Sequence, residues 1–178
     1  MLGPILAPPP AAGRPTVPSP VWSPPSHDLY KINCDAAIDS TGYLVGCGAV
    51  IRNSNGLVMT ASSQQLVATF LPHVAEAYAI LCGLQLAIDS GLFPVTVESD
   101  AAVVVNWINE GLVPISEVGV FISDIKNLLQ QIQFIAVSFV PRLANTVAHC
   151  LAKFALSCGE EYPPCISLIV QAEAQTCL

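Results

Sequence analysis

The sequence has little positive charge. Its 178 residues include 6 Lys and Arg against 13 Asp and Glu, so the formal net charge is −7. A protein held to nucleic acid by bulk electrostatics needs the opposite sign, because it has to neutralise phosphates. Any nucleic-acid binding by this chain must therefore be local or assisted by metal ions.

The sequence also lacks a long apolar run, although 53% of its residues are hydrophobic. No uninterrupted apolar stretch reaches the roughly 18 to 20 residues that a membrane-spanning helix needs. The N-terminus has no basic segment before its short apolar stretch, and prolines interrupt that stretch, so it does not look like a secretory signal. We expect no membrane association and an intracellular location, with nucleus and cytoplasm not distinguished.

Paired cysteine motifs are absent too. The seven cysteines form an odd set without a CxxC pair, and several lie within apolar periodic segments. A chain of this size and apolar content does not need a disulfide framework for its stability. We therefore expect most of the cysteines to be reduced core residues and the compartment to be a reducing one.

Proline is concentrated at the N-terminus, where 9 of the 15 prolines fall within the first 25 residues. This composition is typical of an extended, disordered segment. We predict a proline-rich leader or linker over residues 1–28, one folded domain over residues 29–158, and a loosely attached tail over residues 159–178. The length fits a single domain with appendages, and we expect a monomer.

Hydrophobic periodicity predicts the order βββαβααβα within the folded domain. Alternating and β-branched segments predict three strands between residues 29 and 64, a fourth at 95–99 and a fifth at 134–140. Helical spacing predicts helices at 72–90, 101–109, 116–131 and 144–157. This order predicts an α/β fold with a mixed five-stranded sheet and helices on its faces.

Two aspartates come at the ends of two predicted strands. Asp35 lies at the C-terminal end of the first strand, and Asp100 follows the fourth. If these strands are parallel neighbours, both carboxylates emerge at one edge of the sheet, where open α/β sheets place their ligand sites. The alternative role for each aspartate is that of a turn former or a helix N-cap.

Glu76 is a third candidate, because it lies on the side of the 72–90 helix that is expected to face the sheet. Burying a carboxylate there costs on the order of several kcal/mol unless something compensates its charge. A divalent cation shared with Asp35 and Asp100 would compensate all three carboxylates. The alternative is a partly exposed carboxylate on the helix surface.

The ordered motifs resemble the ribonuclease H family, and most closely the plant reverse-transcriptase-like ribonuclease H domains. The segments that carry the resemblance are KINCDAA (31–37), GCGAVIRNSNG (46–56), AEAYAILCGLQLA (75–87), VTVESDAAVVVNWI (95–108) and RLANTVAHCLAKFAL (142–156). Together they cover about residues 29–158. Similar domains occur alone or at the end of retroelement polyproteins, and the sequence does not distinguish the two cases.

The resemblance implies a ribonuclease H-like fold and a hydrolase that cleaves the RNA strand of an RNA–DNA hybrid with two Mg²⁺ ions, with Mn²⁺ as a substitute. One ion would help to form hydroxide from water and the other would stabilise the leaving 3′ oxygen, with the metals about 3.5 to 4 Å apart. The first three metal-binding carboxylates of the family map onto Asp35, Glu76 and Asp100. Carboxylate oxygens suit the hard Mg²⁺ ion.

The fourth family carboxylate maps onto a histidine in this chain. That carboxylate lies four residues after the asparagine of the last motif, and His149 lies four residues after Asn145. In the similar plant domains a histidine is frequent at this place, which implies a role for His149 in ligating or orienting a metal or in proton transfer. The alternative is a helix histidine packed at the edge of the site.

Other residues near the motifs are candidates for contacts with nucleic acid. These are Asn33, Ser99, Arg142 and Asn145, of which Asn145 has an alternative role as the cap of the final helix. A second departure from the family is Phe139, which stands where many members carry a histidine that the family uses in product release.

Three functions remain open on the sequence, in this order. The first is an active, Mg²⁺-dependent ribonuclease H acting on RNA–DNA hybrids. The second is a degenerate domain that binds nucleic acid or a protein partner without cleavage, which His149, Phe139 and the acidic charge favour. The third is a structural interaction module that needs only the apolar core and the proline-rich arm, with no partner indicated.

Overall fold

The computed structural model describes residues 21–158. The strands are β1 (Tyr30–Ile38), β2 (Leu44–Arg52), β3 (Val58–Val67), β4 (Val95–Ser99) and β5 (Phe134–Phe139). The helices are α1 (Pro72–Ser90), α2 (Ala102–Glu110), α3 (Glu117–Gln131) and α4 (Thr146–Ser157), with a 3₁₀ turn (Arg142–Asn145) directly before α4. The predicted order βββαβααβα is confirmed. The predicted tail and the first twenty residues of the predicted leader lie outside the described residues.

The five strands form one mixed sheet in the order β3-β2-β1-β4-β5. The first three strands are antiparallel, whereas β4 runs parallel to both β1 and β5. Cys34 pairs with Ser99 at the last step of the β1–β4 ladder. Asp100 directly follows this pair on the chain, and Asp35 lies on the part of β1 that continues past β4. The two strands are thus parallel neighbours, and both aspartates lie at the same end of the β1–β4 ladder.

One face of the sheet is covered by α1, with α2 and α3 packed beside it. Its largest fully buried side chains are Ile32, Ile51, Ile80, Leu84, Ile122 and Ile125. Each such side chain contributes about 1.5 to 3 kcal/mol through removal from water. This apolar layer holds α1, and hence its second turn, rigidly against the end of β1.

The ends of α1 follow from two residues with restricted or special backbone geometry. Pro72 opens the helix, where its fixed φ and missing N–H are tolerated. Gly91 closes it in the left-handed region at φ 64°, and its N–H donates to the carbonyl of Ile88 at 3.1 Å. The helix therefore starts next to the sheet edge, and Glu76 falls within its second turn.

The other face of the sheet is covered by α4, which lies almost directly on β2. A Cβ atom on Gly48 would lie 2.2 Å from the carbonyl oxygen of Ala148 and 2.5 Å from the nitrogen of Ala152. Glycine is needed at this position because the helix backbone occupies the space of a side chain. Within the described residues, none of the helices has the length and apolar character of a membrane span.

The segment before β1 contacts the sheet through Trp22 and Ser23. The indole ring of Trp22 lies over the guanidinium of Arg52, with 3.7 Å between the ring centroid and Cζ. Lys31 Nζ donates to the carbonyl of Ser23 at 2.7 Å. Packing therefore begins before the predicted domain start, and the domain boundary itself stays a prediction.

Candidate metal centre

Three carboxylates converge where β1, α1 and β4 meet. One oxygen from each of Asp35, Glu76 and Asp100 lies within 4.8 Å of the others. Asp35 is fully buried, whereas the other two are half-buried. The sheet order and the position of α1 thus bring together the three residues that the sequence predicted.

Glu76 reaches the sheet edge because β4 is shorter than β1. The last residue of β4, Ser99, pairs with Cys34, so β1 continues past its neighbour. The N–H of Ala36 donates to Glu76 Oε2 at 3.2 Å. This hydrogen bond fixes the carboxylate of α1 over the end of the sheet, beside Asp35.

Asn145 joins the two strand ends. Its side-chain Nδ2 donates to the carbonyl of Cys34 at 2.8 Å and to Asp100 Oδ1 at 3.0 Å. The side chain makes no capping hydrogen bond with α4, so the alternative role of helix cap does not apply. Asn145 is fully buried, and its Oδ1 has no partner among the described residues. The buried amide of Asn145 therefore orients the Asp100 carboxylate through a hydrogen bond.

Arg142 places its guanidinium between two of the carboxylates. Its Nη1 lies 2.8 Å from Asp100 Oδ2 and 3.3 Å from Asp35 Oδ1. The sequence predicts only a nucleic-acid contact for Arg142, and these ion pairs are a finding of the structure. The spacing of Arg142, Asn145 and His149 at i, i+3 and i+7 was the available signal, because such residues share one side of a helical segment.

His149 faces Asp35 with one ring nitrogen and Arg142 with the other. Nδ1 lies 2.6 Å from Asp35 Oδ2, and Nε2 lies 3.2 Å from Arg142 Nη2. A guanidinium only donates, so Nε2 accepts and the neutral ring carries its proton on Nδ1, which donates to Asp35. Burial, followed by the positive charges of Arg142 and Lys153, lowers the pKa of His149. The ring is therefore neutral at neutral pH.

The carboxylates perturb one another. Burial and then the charge of Asp100 raise the pKa of Asp35 to about 7, although Arg142 opposes the rise. Burial and then the charges of both aspartates raise the pKa of Glu76 to about 8. For Asp100 burial is outweighed by hydrogen bonds from Arg142 and Asn145, so its pKa is lowered. The cluster therefore takes up protons or cations readily.

The donor set fits a divalent cation of the Mg²⁺ type. It consists of carboxylate oxygens, which hard cations prefer, and these oxygens come from three rigid elements. Like charges that are held this close and partly buried require compensation. Asp35, Glu76 and Asp100 are thus the residues that would hold such an ion.

Two predicted site residues lie elsewhere. Asn33 is fully buried; it donates to Glu98 Oε2 at 2.9 Å and accepts from Arg52 Nη2 at 3.0 Å. Ser99 is also fully buried, and its Oγ accepts from the N–H of Ala101 at 3.2 Å. Asn33 is held away from the carboxylates by its bonds with Glu98 and Arg52, and Ser99 faces the opposite side of β4 from Glu98. Their contact with nucleic acid stays a prediction.

Phe139 lies at the same sheet edge as the carboxylates. It pairs with Ser99 at the end of the β4–β5 ladder and is 51% exposed. The end of β5 therefore presents an aromatic ring instead of an imidazole at the rim of the site.

Comparisons with known proteins agree with this geometry. A family model described as reverse transcriptase-like matches residues 33–155. A search of curated proteins finds no match. Among solved structures, an RNase H1 from the halophilic archaeon Halobacterium salinarum covers 72% of this chain and 98% of its own, with 19% identity and a TM-score of 0.68.

Two further solved structures are similar to this chain. The N-terminal RNase H domain of a Mycobacterium tuberculosis protein shows 27% identity and a TM-score of 0.65, over 72% of this chain and 94% of that chain. LC11-RNase H1, solved in complex with an RNA/DNA hybrid, shows 21% identity and a TM-score of 0.64, over 72% and 96%. Similarity over 94–98% of each of these chains at low identity shows a shared fold.

Proposed function

Because the chain belongs to the reverse transcriptase-like family of ribonuclease H-like domains, we propose that it is a metal-dependent ribonuclease that cleaves the RNA strand of RNA–DNA hybrids. The observation that carries the proposal is the convergence of Asp35, Glu76 and Asp100 within 4.8 Å at the sheet edge. Three partly buried carboxylates, of which Asp35 and Glu76 have raised pKa values, are typical of a cation site rather than of turn formers.

In this proposal the three carboxylates hold Mg²⁺, for which Mn²⁺ can substitute. Bound divalent ions supply a hydroxide near neutral pH and stabilise the leaving 3′ oxygen. The residues of the chain arrange the carboxylates for this task. Asn145 orients Asp100 through a 3.0 Å hydrogen bond, and the backbone of Ala36 orients Glu76 through one of 3.2 Å.

His149 has an orienting role in the proposed site. Its Nδ1 proton holds Asp35 Oδ2 at 2.6 Å, so the other oxygen of the carboxylate faces Asp100 and Arg142. A neutral ring adds no positive charge beside the cation site, which favours metal binding. The histidine thus supports a ligand from the position at which the family places a fourth carboxylate.

An RNA–DNA hybrid is the proposed partner. LC11-RNase H1, which shares the fold, has been solved with such a hybrid. The 2′-hydroxyl groups and the shape of a hybrid offer features that DNA lacks. Arg142 is the predicted site residue that remains accessible to a phosphate, because 53% of its side chain is exposed.

The test is cleavage of a labelled RNA–DNA hybrid with Mg²⁺ or Mn²⁺. Asp35→Asn should lower the rate by about a hundredfold or more, because it removes a charged ligand that the proposed ions share. Asp124→Asn is the matched control, since Asp124 is exposed on α3. Equal cleavage by the parent and Asp35→Asn would contradict the catalytic assignment.

A second candidate function is binding without cleavage. It is favoured by the guanidinium of Arg142 on the carboxylates and by the exposed Phe139. In that case the same assay would show no cleavage by the parent, whereas the labelled hybrid would still bind to it.

A further inference from the structure

Donors from the 3₁₀ turn and α4 contact all four carboxylate oxygens of Asp35 and Asp100. Arg142 Nη1 contacts Asp35 Oδ1 and Asp100 Oδ2, at 3.3 and 2.8 Å. The remaining oxygens accept from His149 at 2.6 Å and from Asn145 at 3.0 Å. An ion that bridges the two aspartates therefore has to share oxygens with these donors.

These donors differ in whether they tolerate a cation. A carboxylate oxygen has two lone pairs, so it can keep a hydrogen bond from neutral His149 or Asn145 while it ligates a metal. The guanidinium of Arg142 is positively charged at every relevant pH and repels a second cation on the same two oxygens. Arg142 is thus the donor that conflicts with an ion between the aspartates.

Glu76 lies outside this conflict. Among the described residues, the ion pairs of Arg142 go to the two aspartates and not to Glu76. A shallow pocket of about 220 Å³ opens beside Glu76, lined also by Ala36, Ile38, Pro72 and Ala75. A cation can therefore approach from the Glu76 side without contact with the guanidinium.

The Arg142 side chain is able to leave the carboxylates. It is 53% exposed and belongs to the short 3₁₀ turn before α4 rather than to a packed strand. The Asp35 and Asp100 side chains are only 0% and 10% exposed, so they need a compensating cation. A divalent ion in place of the guanidinium supplies that charge, while the guanidinium regains its hydration in water. Movement of the guanidinium into solvent therefore costs little when a divalent ion replaces it.

From this arrangement we infer that Arg142 is an internal cation of the site that competes with divalent ions for the space between Asp35 and Asp100. The inference concerns regulation of the proposed metal site and rests on that proposed function. Arg142 compensates the aspartates when divalent ions are scarce. An ion can bridge both aspartates only when the guanidinium has left the oxygens that it contacts.

The test measures Mn²⁺ binding by isothermal titration calorimetry, without nucleic acid. Arg142→Gln should bind Mn²⁺ about tenfold more tightly than the parent, because the ion no longer displaces a cation. Arg142→Lys should fall between them, since lysine keeps the charge but lacks the planar fork that spans two carboxylates. Lys153→Gln is the matched control, because it removes one exposed positive charge of α4 that forms no ion pair with the carboxylates among the described residues.

Each outcome bears on the inference. Tighter binding by Arg142→Gln alone supports it, and urea unfolding of the metal-free variants confirms that both Arg142 variants are folded. Equal affinities of the parent and Arg142→Gln overturn it, as does equal tightening by Lys153→Gln, which would reflect net charge only. Absence of Mn²⁺ binding to the parent and to every variant overturns the metal site itself and with it the proposed function.

Discussion

At the scale of single residues, the two raised carboxyl pKa values decide how stability changes with pH in the metal-free protein. Asp35 titrates near 7 and Glu76 near 8 in the folded chain, against ordinary values of about 4. The folded state therefore binds more protons than the unfolded state between about pH 4 and 8. Their contribution to stability is complete below about pH 4 and is lost as the pH rises through the folded values.

Glu76→Gln should isolate the contribution of Glu76 to the pH dependence of stability. In EDTA at pH 8.5 we expect the variant to be more stable than the parent by on the order of 2 kcal/mol, because the parent carries an extra buried charge. At pH 5 the difference should largely vanish, since Glu76 is then protonated. Urea unfolding at both pH values measures this, with Asp124→Asn as the control. A difference that is independent of pH would contradict the assignment.

His149→Asp should restore the carboxylate that the family has at this position. Without metal the variant should be less stable than the parent, because a fourth negative charge is placed beside Asp35. With Mn²⁺ its melting temperature should rise more than that of the parent, since the site gains an oxygen ligand. His149→Asn is the neutral control. Equal Mn²⁺-induced shifts in all three proteins would show that position 149 does not face the cation.

At the scale of elements, the close contact between α4 and β2 positions the donors of the site. The two glycines of β2, Gly46 and Gly48, let the helix backbone approach the strand. Ser63 of the neighbouring strand donates its hydroxyl to the carbonyl of Leu151 at 2.8 Å and so fixes the helix laterally. The height of α4 above the sheet therefore sets the distance between His149 and Asp35.

Gly48→Ala should disturb this element and the site together. Its Cβ would meet two backbone atoms of α4 at 2.2 and 2.5 Å, so the helix has to move away from β2. We expect a loss of about 2 to 3 kcal/mol in the free energy of unfolding, which is typical of an overpacked contact. Urea unfolding and Mn²⁺ titration measure the two effects. Unchanged stability would show that α4 can shift at no cost.

At the scale of the whole molecule, few positive charges are available for a nucleic-acid backbone. Lys31 and Arg52 are each 8% exposed. Lys31 forms an ion pair with Glu98, and Arg52 donates to Asn33, which in turn donates to Glu98. Lys126 donates to the carbonyl of Gly111 at 3.0 Å. The proposed binding of hybrids therefore depends on divalent ions more than on a basic surface. The intracellular location and the monomeric state stay predictions.

Hybrid binding in EDTA should consequently depend weakly on salt. Each phosphate contact adds about −0.9 to the slope of log K against log salt concentration, so we expect a slope of about −1 to −2. Fluorescence anisotropy with a labelled hybrid at 50 to 200 mM salt provides the measurement. A slope of about −6 would reveal a basic surface that the described residues do not form.

The order of elements and the three carboxylates could be read from the sequence, because these features depend on local information. Apolar periodicity identifies strands and helices, and the ends of β1 and β4 place Asp35 and Asp100 within a few residues. The helical side that carries Glu76 follows from the same periodicity. The sequence leaves the parallel pairing of the two strands as a condition, and the structure shows that they are parallel neighbours.

The partners of these carboxylates were decided only by tertiary packing. Arg142 and Asp35 are separated by 107 positions, and His149 and Asp35 by 114, so no local pattern relates them. The same holds for the contacts of Arg52 with Asn33 and with Trp22. They form only because the sheet brings these side chains together. The sequence by itself determined where charge collects, because strand ends and helix faces are local. Only the packing of α4 and the preceding 3₁₀ turn on the sheet decided which donors meet that charge, because these contacts join distant parts of the chain.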